Sequence, residues 1–433
     1  MEEYKIEERK AVLVGVQFPD NKDFSLDMEE LAGLCEALSI RPVTSLSQSL
    51  AREDSASFIG SGKVEEVREA VLFHEANLVI FQNPLSPSQL HNLTKALPCE
   101  VLDRTQLILQ IFSERAKTKE AKMQVKYATL QYMLPRLVGL RENLSRQGGA
   151  SGSLSNRGSG EKQIELDKRK IQEEMAILRR ELKKQEEVRK VKRQKRDRAA
   201  IPRVALVGYT NAGKSSLMNA LLALSKDSQT EGVEEKDMLF ATLDTTIRRI
   251  VQEKGEEFLL ADTVGFIRSL PDKLLDAFHS TLEEAVEADL ILQVVDYSDE
   301  NYQKHMDATL DTLKKLEAGH IPMLYVMNKC DKVLPLGELP KLRGEKLYIS
   351  VKEKLGIKEL VEKISQVLSA GLKQVDILLP YTASAYENRI RSEGKLLSLS
   401  YEEDGILISA KVPAALEAQL KITVYRNEIR DKR

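Results

Sequence analysis

The stretch RVALVGYTNAGKSSLMNAL, residues 203–221, constrains the fold more than any other part of the chain. A run of small and β-branched apolar residues predicts a strand buried on both faces, and such strands occur in parallel sheets covered by helices. The strand runs straight into GYTNAGKSS (208–216), which fits G-x-x-x-x-G-K-[ST], and a helical pattern follows. A glycine-bounded turn between a strand and a helix N-terminus aims successive backbone amides at one point, which suits a phosphate chain. Gly208 and Gly213 let the main chain wrap the anion, and Tyr209, Thr210, Asn211 and Ala212 supply the peptides between them. Lys214 is expected to act catalytically by reaching the β- and γ-phosphates. Ser215 is expected to offer its hydroxyl to Mg2+, and Ser216 completes the motif.

Strand-helix alternation continues to about residue 370, with strands expected at RVALVGY, EFLLADTV, ADLILQVVD, IPMLYVMN and KLYISV. Three of these end in polar motifs. In DTVG (262–265), Asp262 can hold magnesium through water. Thr263 and Val264 lead to Gly265, whose amide can meet the γ-phosphate and so distinguish GTP from GDP. In NKCD (328–331), the Asp331 carboxylate can accept from the ring N–H and exocyclic amine of guanine, an edge adenine lacks. Asn328 should tie the base loop to the phosphate loop, and the stem of Lys329 should pack over the ring. SVK, with Ser350, Val351 and Lys352, brings backbone to the guanine oxygen. Between the phosphate loop and DTVG lies FATLDTT (240–246), where a threonine would complete the magnesium shell. Thr242, Thr245 and Thr246 are the candidates, and pattern alone does not choose among them. The four ordered elements point to a site for GTP and GDP with Mg2+.

At 433 residues the chain needs about three cores. Residues 1–104 alternate strands (AVLVGV, NLVIFQ, CEVLD) with helices at 25–38, 63–74 and 86–97, predicting an N-terminal α/β domain. Residues 105–198 predict a long helical hairpin, interrupted at 147–160 (QGGASGSLSNRGSG) by a Gly/Ser-rich loop expected to be irregular. The hairpin ends in VRKVKRQKRDR (188–198), seven basic residues against one acidic, suited either to a solvated helix face or to RNA. Residues 199–370 form the nucleotide-binding domain, a mixed sheet flanked by helices. Residues 371–433 read as a small C-terminal α+β module. The expected class is thus α/β and multi-domain. The three scattered cysteines exclude a disulfide framework and a CxxC zinc site. With no apolar run long enough for a membrane span, the expected setting is cytoplasmic, and nothing demands more than a monomer.

The chain resembles HflX-type GTPases of the Obg-HflX group. The likeness spans nearly the whole sequence: FIGSGKVEEV (58–67), VLDRTQLILQIFSERAKTKEAKMQVKYATLQYMLPRL (101–137), RGSGEKQIELDKRK (157–170), GYTNAGKSSLMNAL (208–221), LFATLDTTIRRI (239–250) and DTVGFIRSLP (262–271). The resemblance implies that Thr242 is the magnesium-binding switch threonine, and that Phe240, Ala241, Leu243 and Asp244 line the nucleotide with it. It implies binding to the large ribosomal subunit, through ribosomal RNA and proteins, and a part in splitting or rescuing stalled ribosomes. Asn211 occupies a position where some related GTPases hold an activating K+. The sequence departs from the usual family pattern in its glycine-rich loop and in SVK where SAK is commoner.

Phe266 stands where many GTPases place a water-orienting glutamine, so slow intrinsic hydrolysis, stimulated by a partner, is expected. GSGK (60–63) suggests a second phosphate loop, but Ser57 replaces the upstream glycine and Val64 the hydroxyl residue, so an interdomain loop or an RNA contact is expected instead. The five histidines show no metal-ligand spacing and read as ordinary surface or core residues. The alternative to a ribosome factor is a regulatory module whose GTP state recruits protein partners.

Overall fold

The computed structural model describes residues 8–147, 157–197, 201–225, 239–240, 245–252, 257–268, 271, 274, 285–370, 372–413 and 416–421. These fall into two compact units. The first comprises the described residues up to Gln185 together with those of Lys236–Asp244 and Ile267–Thr281; the second comprises the others.

The first unit begins with β1 (Lys10–Gln17), α1 (Phe24–Glu36), β2 (Arg41–Ser49), α2 (Ser61–His74), β3 (Leu78–Phe81), α3 (Pro87–Ala96) and β4 (Glu100–Asp103). The strands make an all-parallel sheet in the order β2-β1-β3-β4. The central strands β1 and β3 are apolar on both faces, and Val12, Val14, Val16, Val79 and Phe81 pack under Val67, Val71 and Leu93 of the helices. The sequence reading missed β2. Its residues RPVTSLSQS are only partly buried at the sheet edge, so no continuous apolar run marks it.

Two capping boxes set the next helix starts: Ser86 with Gln89 opens α3, and Asp103 with Gln106 opens α4 (Arg104–Arg115). Fully buried Asp103 also accepts from Leu85 N (3.2 Å), Arg136 Nη2 (2.8 Å) and the Tyr132 hydroxyl. Helix α5 (Lys119–Gln147) follows a break at 116–118, where Thr118 Oγ1 accepts from Ala121 N at 3.1 Å. The expected single helix from residue 105 is therefore two. Helix α6 spans Arg157–Asp197 and is joined to α5 by a Lys126–Glu174 ion pair. Its start corrects the expectation of irregular chain throughout 147–160, since residues 157–160 extend a helix already nucleated beyond them. Residues 148–156 lie outside the described residues. Arg268 also belongs to this unit. Its Nη2 donates to Asp23 Oδ2 (2.7 Å) and its amide to Glu30 Oε2 (3.2 Å), while Arg104 pairs with Glu30.

The second unit contains β5 (Arg203–Val207), α7 (Lys214–Leu224), β6 (Thr246–Val251), β7 (Glu257–Asp262), β8 (Leu290–Asp296), α8 (Tyr302–Lys315), β9 (Met323–Asn328), β10 (Lys341–Arg343), β11 (Lys346–Tyr348) and α9 (Ile357–Ser369). The seven-stranded sheet has the order β10-β11-β9-β8-β5-β7-β6. It is mixed: β6 runs antiparallel to β7 and β10 antiparallel to β11, and the five between are parallel. Leu206, Leu217, Leu221, Leu260, Leu292, Val326 and Leu360 form its core. Because the parallel strands point one way, the loops after β5, β7, β9 and β11 emerge at one edge of the sheet, where open α/β sheets bind ligands.

A further sheet, β12 (Leu372–Leu379), β13 (Lys395–Glu402) and β14 (Gly405–Pro413), is antiparallel in the order β12-β14-β13. It packs on α10 (Ala385–Glu393) through Val375, Leu379, Ile390, Ile406 and Ile408. Among the described residues no helix is long and apolar enough to cross a membrane.

Candidate functional site

The loop after β5 turns because its backbone enters the left-handed region repeatedly. φ is +152° at Gly208, +62° at Asn211 and +94° at Gly213. A Cβ on Gly208 would lie 2.2 Å from the Val294 carbonyl oxygen, and one on Gly213 would lie 2.3 Å from Asn328 Nδ2, so neither position accepts a side chain. Alternating left- and right-handed peptides give an amide-lined concavity suited to anions. Lys214, the first residue of α7, is 7% exposed and curls back over the loop. Its Nζ donates to the carbonyls of Gly208 (3.0 Å) and Tyr209 (2.8 Å). Burial pushes its pKa down to about 8, against the opposing pull of the Asp262 carboxylate. Buried Ala212 packs into the core of the sheet, Asn211 is exposed, and Ser216 is half-buried.

Ser215 Oγ donates to Asp262 Oδ2 at 2.9 Å, bringing the expected magnesium hydroxyl and carboxylate together across β5 and β7. Asp262 is fully buried at the end of β7, and Thr263 next to it donates its hydroxyl to Leu206 O at 2.7 Å. Val264 is buried. Gly265 lies so close to the loop that a Cβ would meet Thr210 at 2.7 Å and Lys214 Nζ at 3.2 Å. Phe266 is then paired with the loop by two backbone hydrogen bonds, Thr210 N to Phe266 O (2.9 Å) and Phe266 N to Gly208 O (3.0 Å). Its side chain is buried.

The base-recognition motif lies across the same edge. Asn328 Nδ2 donates to Ala212 O at 3.0 Å, and its Oδ1 accepts from Val351 N at 3.1 Å, so one side chain joins the loops after β5, β9 and β11. Ser350 Oγ donates to Asp331 Oδ1 at 2.6 Å and accepts from Glu353 N at 3.1 Å, fixing the carboxylate through the next loop. In SVK, whose backbone is expected near the guanine oxygen, the Val351 amide donates to Asn328 Oδ1, and Lys352 is exposed. Phe240 packs edge-on against Phe112, ring centroids 4.7 Å apart, within the first unit. Ala241, Thr242, Leu243 and Asp244 lie outside the described residues; Thr245 and Thr246 are half-buried.

Residues 25–113 match the family model for the N-terminal region of GTP-binding GTPases, residues 115–196 the model for their middle region, and residues 203–329 that of a 50S ribosome-binding GTPase. A protein of Caldanaerobacter subterraneus subsp. tengcongensis named GTPase HflX is 38% identical, covering 97% of this chain and 95% of its own. The GTPase HflX of Lacrimispora saccharolytica is 39% identical over 96% and 97%, and that of Escherichia coli 36% over 93% and 93%. The chain belongs to the HflX family of GTPases. A GTP-binding protein of Sulfolobus solfataricus, solved with GDP, aligns over 84% of this chain and 99% of its own at 24% identity and TM-score 0.44.

Two features of this HflX GTPase escaped the sequence reading. Lys329 Nζ pairs with Asp296 Oδ2 at 2.8 Å. Burial opposes the Asp296 charge, but Lys329 and Ser298 hold its carboxyl below the usual range. Its place at the end of an apolar strand was the available signal. The second is His305, whose ring stacks on Tyr209 with centroids 4.0 Å apart and planes 8° apart. It had been read as an ordinary histidine, and no spacing in the sequence links residues 209 and 305.

Proposed function

We propose that this GTPase holds GTP or GDP at the edge formed by the loops after β5, β7, β9 and β11, and that its GTP state binds the large ribosomal subunit. Hydrolysis to GDP and phosphate would then release it, in the course of splitting or rescuing stalled ribosomes. The nucleotide reading is carried by Asn328, which ties the phosphate loop to the base loop at 3.0 and 3.1 Å. The ribosomal reading is supported by the match of residues 203–329 to a 50S ribosome-binding GTPase and by the basic run that ends α6.

In this reading Asp331, oriented by Ser350, accepts two hydrogen bonds from guanine, and the Lys329 stem, steadied by Asp296, lies against the base. The amides at the turn into α7, residues 213–215, hold the phosphates, and Lys214 exchanges its two carbonyl partners for phosphate oxygens. Ser215 and Asp262 are hard oxygen donors already in contact, a set that fits Mg2+, and Thr242 would join them. Magnesium, when bound, neutralises charge between the β- and γ-phosphates. Gly265 presents its amide to the γ-phosphate, next to Phe266, which backbone hydrogen bonds hold to Gly208 and Thr210. The Phe266 side chain has no hydrogen-bonding group to orient water, so intrinsic hydrolysis is slow and the ribosome supplies order or a missing group. A potassium ion beside Asn211 would add positive charge there; equal rates in potassium and sodium would reject it.

The deciding experiment is cosedimentation with large ribosomal subunits in GDP and in a non-hydrolysable GTP analogue, with Asp331→Asn as control. Pelleting favoured by the analogue and lost in the variant supports the proposal. No pelleting in either state removes the ribosome from it and turns the search to protein partners.

A further inference from the structure

The geometry points to His305 as a positioning residue of the phosphate loop, acting through the ring of Tyr209; this rests on the nucleotide reading of that loop. Tyr209 is the residue on which the loop's contacts converge. Its carbonyl accepts from Lys214 Nζ at 2.8 Å and from Ala212 N at 3.3 Å. Its neighbours on either side, Gly208 and Thr210, make the two backbone hydrogen bonds to Phe266. A rotation of the peptides around Tyr209 therefore moves the lysine's resting partners and loosens the DTVGF segment together. At Gly208 the carbonyl is held by Lys214 Nζ at 3.0 Å, while the glycines at 208 and 213 carry no side chain that could anchor the turn themselves.

The Tyr209 ring adds a side-chain restraint on that rotation to the hydrogen bonds made by Lys214 and Phe266. Two torsions separate it from the main chain, so a ring held flat fixes the peptide closely. The surface that holds it is itself rigid. His305 lies in the first turns of α8, with its side chain 16% exposed and its Nδ1 3.4 Å from Asp299 Oδ2. Asp299 is set by accepting from Asn301 N at 2.8 Å. The neighbouring turn of α8 is tied to the sheet by Gln293, whose buried Nε2 donates to Met306 O at 3.0 Å. A chain of short contacts thus runs from β8 through α8 and the stacked rings to the peptide that cradles Lys214. A stacked planar pair adds specific geometry beyond the area it buries.

The test compares His305→Ala, His305→Leu and His305→Phe in the full chain, reading GTP and GDP affinity, single-turnover hydrolysis and thermal midpoint. His305→Leu fills the space without a planar face, and His305→Phe restores the face without the Asp299 contact. His305→Ala and His305→Leu are expected to weaken GTP binding by about 3- to 10-fold, the range of one lost aromatic pair. His305→Phe should recover to within about twofold on the same scale. Wild-type affinity and rate in both His305→Ala and His305→Leu would overturn the inference. So would His305→Phe performing no better than His305→Leu, which shows that the planar face does not matter. Should His305→Ala not fold, the Leu–Phe comparison decides alone. Lys214→Ala separates the two levels. If it retains nucleotide, the nucleotide reading of the loop fails; if it loses nucleotide while His305→Leu is unaffected, only the positioning role fails.

Discussion

Lys63 and Lys214 each stand in the first turn of a helix that follows a parallel strand, and each follows a glycine. Around Lys63 the chain reads Gly60-Ser61-Gly62-Lys63, and the N-cap Gly60 has an ordinary extended backbone, φ −62°. Its amide is taken by Gln48 Oε1 at 3.0 Å, and its carbonyl accepts from Lys63 N and Val64 N. Lys63 itself pairs with Glu66 one turn on, at 2.6 Å. Around Lys214 three residues adopt positive φ, the lysine is buried against loop carbonyls, and a carboxylate and a hydroxyl stand nearby. A glycine-lysine pair at a helix start is therefore not enough. The left-handed turns that make the amides converge distinguish the second loop, together with polar residues converging from three other strand ends.

The comparison is tested most severely by removing the buried lysine. Lys214→Ala is expected to reduce GTP affinity and single-turnover hydrolysis by about 100- to 1,000-fold, in line with loss of one preorganised donor to developing charge. Asp331→Asn comes next. A guanine facing an amide instead of a carboxylate leaves polar groups mismatched, and a loss on the order of 100-fold in GTP affinity is expected. Xanthosine triphosphate, whose base carries a carbonyl where guanine has its amine, should bind this variant better than the wild type. Competition binding with the two nucleotides checks both statements, and equal preference in wild type and variant would move base recognition elsewhere.

The lysine's depressed pKa gives a third, smaller effect. With a free-state pKa of about 8, Lys214 is largely neutral above that pH, whereas a phosphate-bound ammonium keeps its proton. Nucleotide binding must then take up a proton, so affinity falls as pH rises beyond about 8, by at most about tenfold per unit. Isothermal titration between pH 7 and 9 in buffers of differing ionisation enthalpy measures this. Constant affinity with no proton uptake would show that the lysine is fully charged in the free loop.

Asp296→Asn probes the support rather than the contact. It replaces the charged partner of Lys329 with a neutral one in a pair whose side chains are 23% and 24% exposed, so solvent screens it in part. GTP affinity should fall about two- to fivefold with little change in thermal midpoint. A large loss of stability would instead make the pair a structural strut.

How much of this was legible depended on whether a local rule or a tertiary contact decided the feature. The buried strands β1, β3, β5, β7, β8 and β9 announce themselves as apolar runs, and GYTNAGKSS, DTVG and NKCD sit at their ends because catalytic loops gather there. The edge strands β2 and β6 do not, since RPVTSLSQS and TIRRIV interleave polar residues that face solvent. The break at 116–118 depends on a threonine hydroxyl cap, and the helical start at Arg157 on propagation from the residues after it. Asn328, expected from its motif to tie the base loop to the phosphate loop, donates to Ala212 O. Asp296 and His305 were invisible as partners because 33 and 96 residues of chain separate them from Lys329 and Tyr209.

The smallest expected effect belongs to the first loop. Lys63→Ala removes an ion pair whose glutamate is half exposed, and such pairs are worth about 0–1 kcal/mol. The Lys63 side chain is 18% exposed, so its stem also packs, and its loss should lower the thermal midpoint by only about 2–5 °C and leave GTP binding unchanged. The informative arm is a second nucleotide. If the Gly60–Lys63 turn were a phosphate site despite its extended backbone, ATP would bind the wild type with a stoichiometry that survives Lys214→Ala and falls in Lys63→Ala. Equilibrium dialysis with labelled ATP on the two variants decides it. Binding that depends on Lys63 would break the contrast drawn between the loops, because a helix start without left-handed turns would then suffice. Binding that depends on neither lysine would place any ATP elsewhere on the chain. No binding would sharpen the contrast to its physical cause: three positive φ angles between Gly208 and Gly213, against one, at Phe58, in the matching span from Ser57 to Gly62.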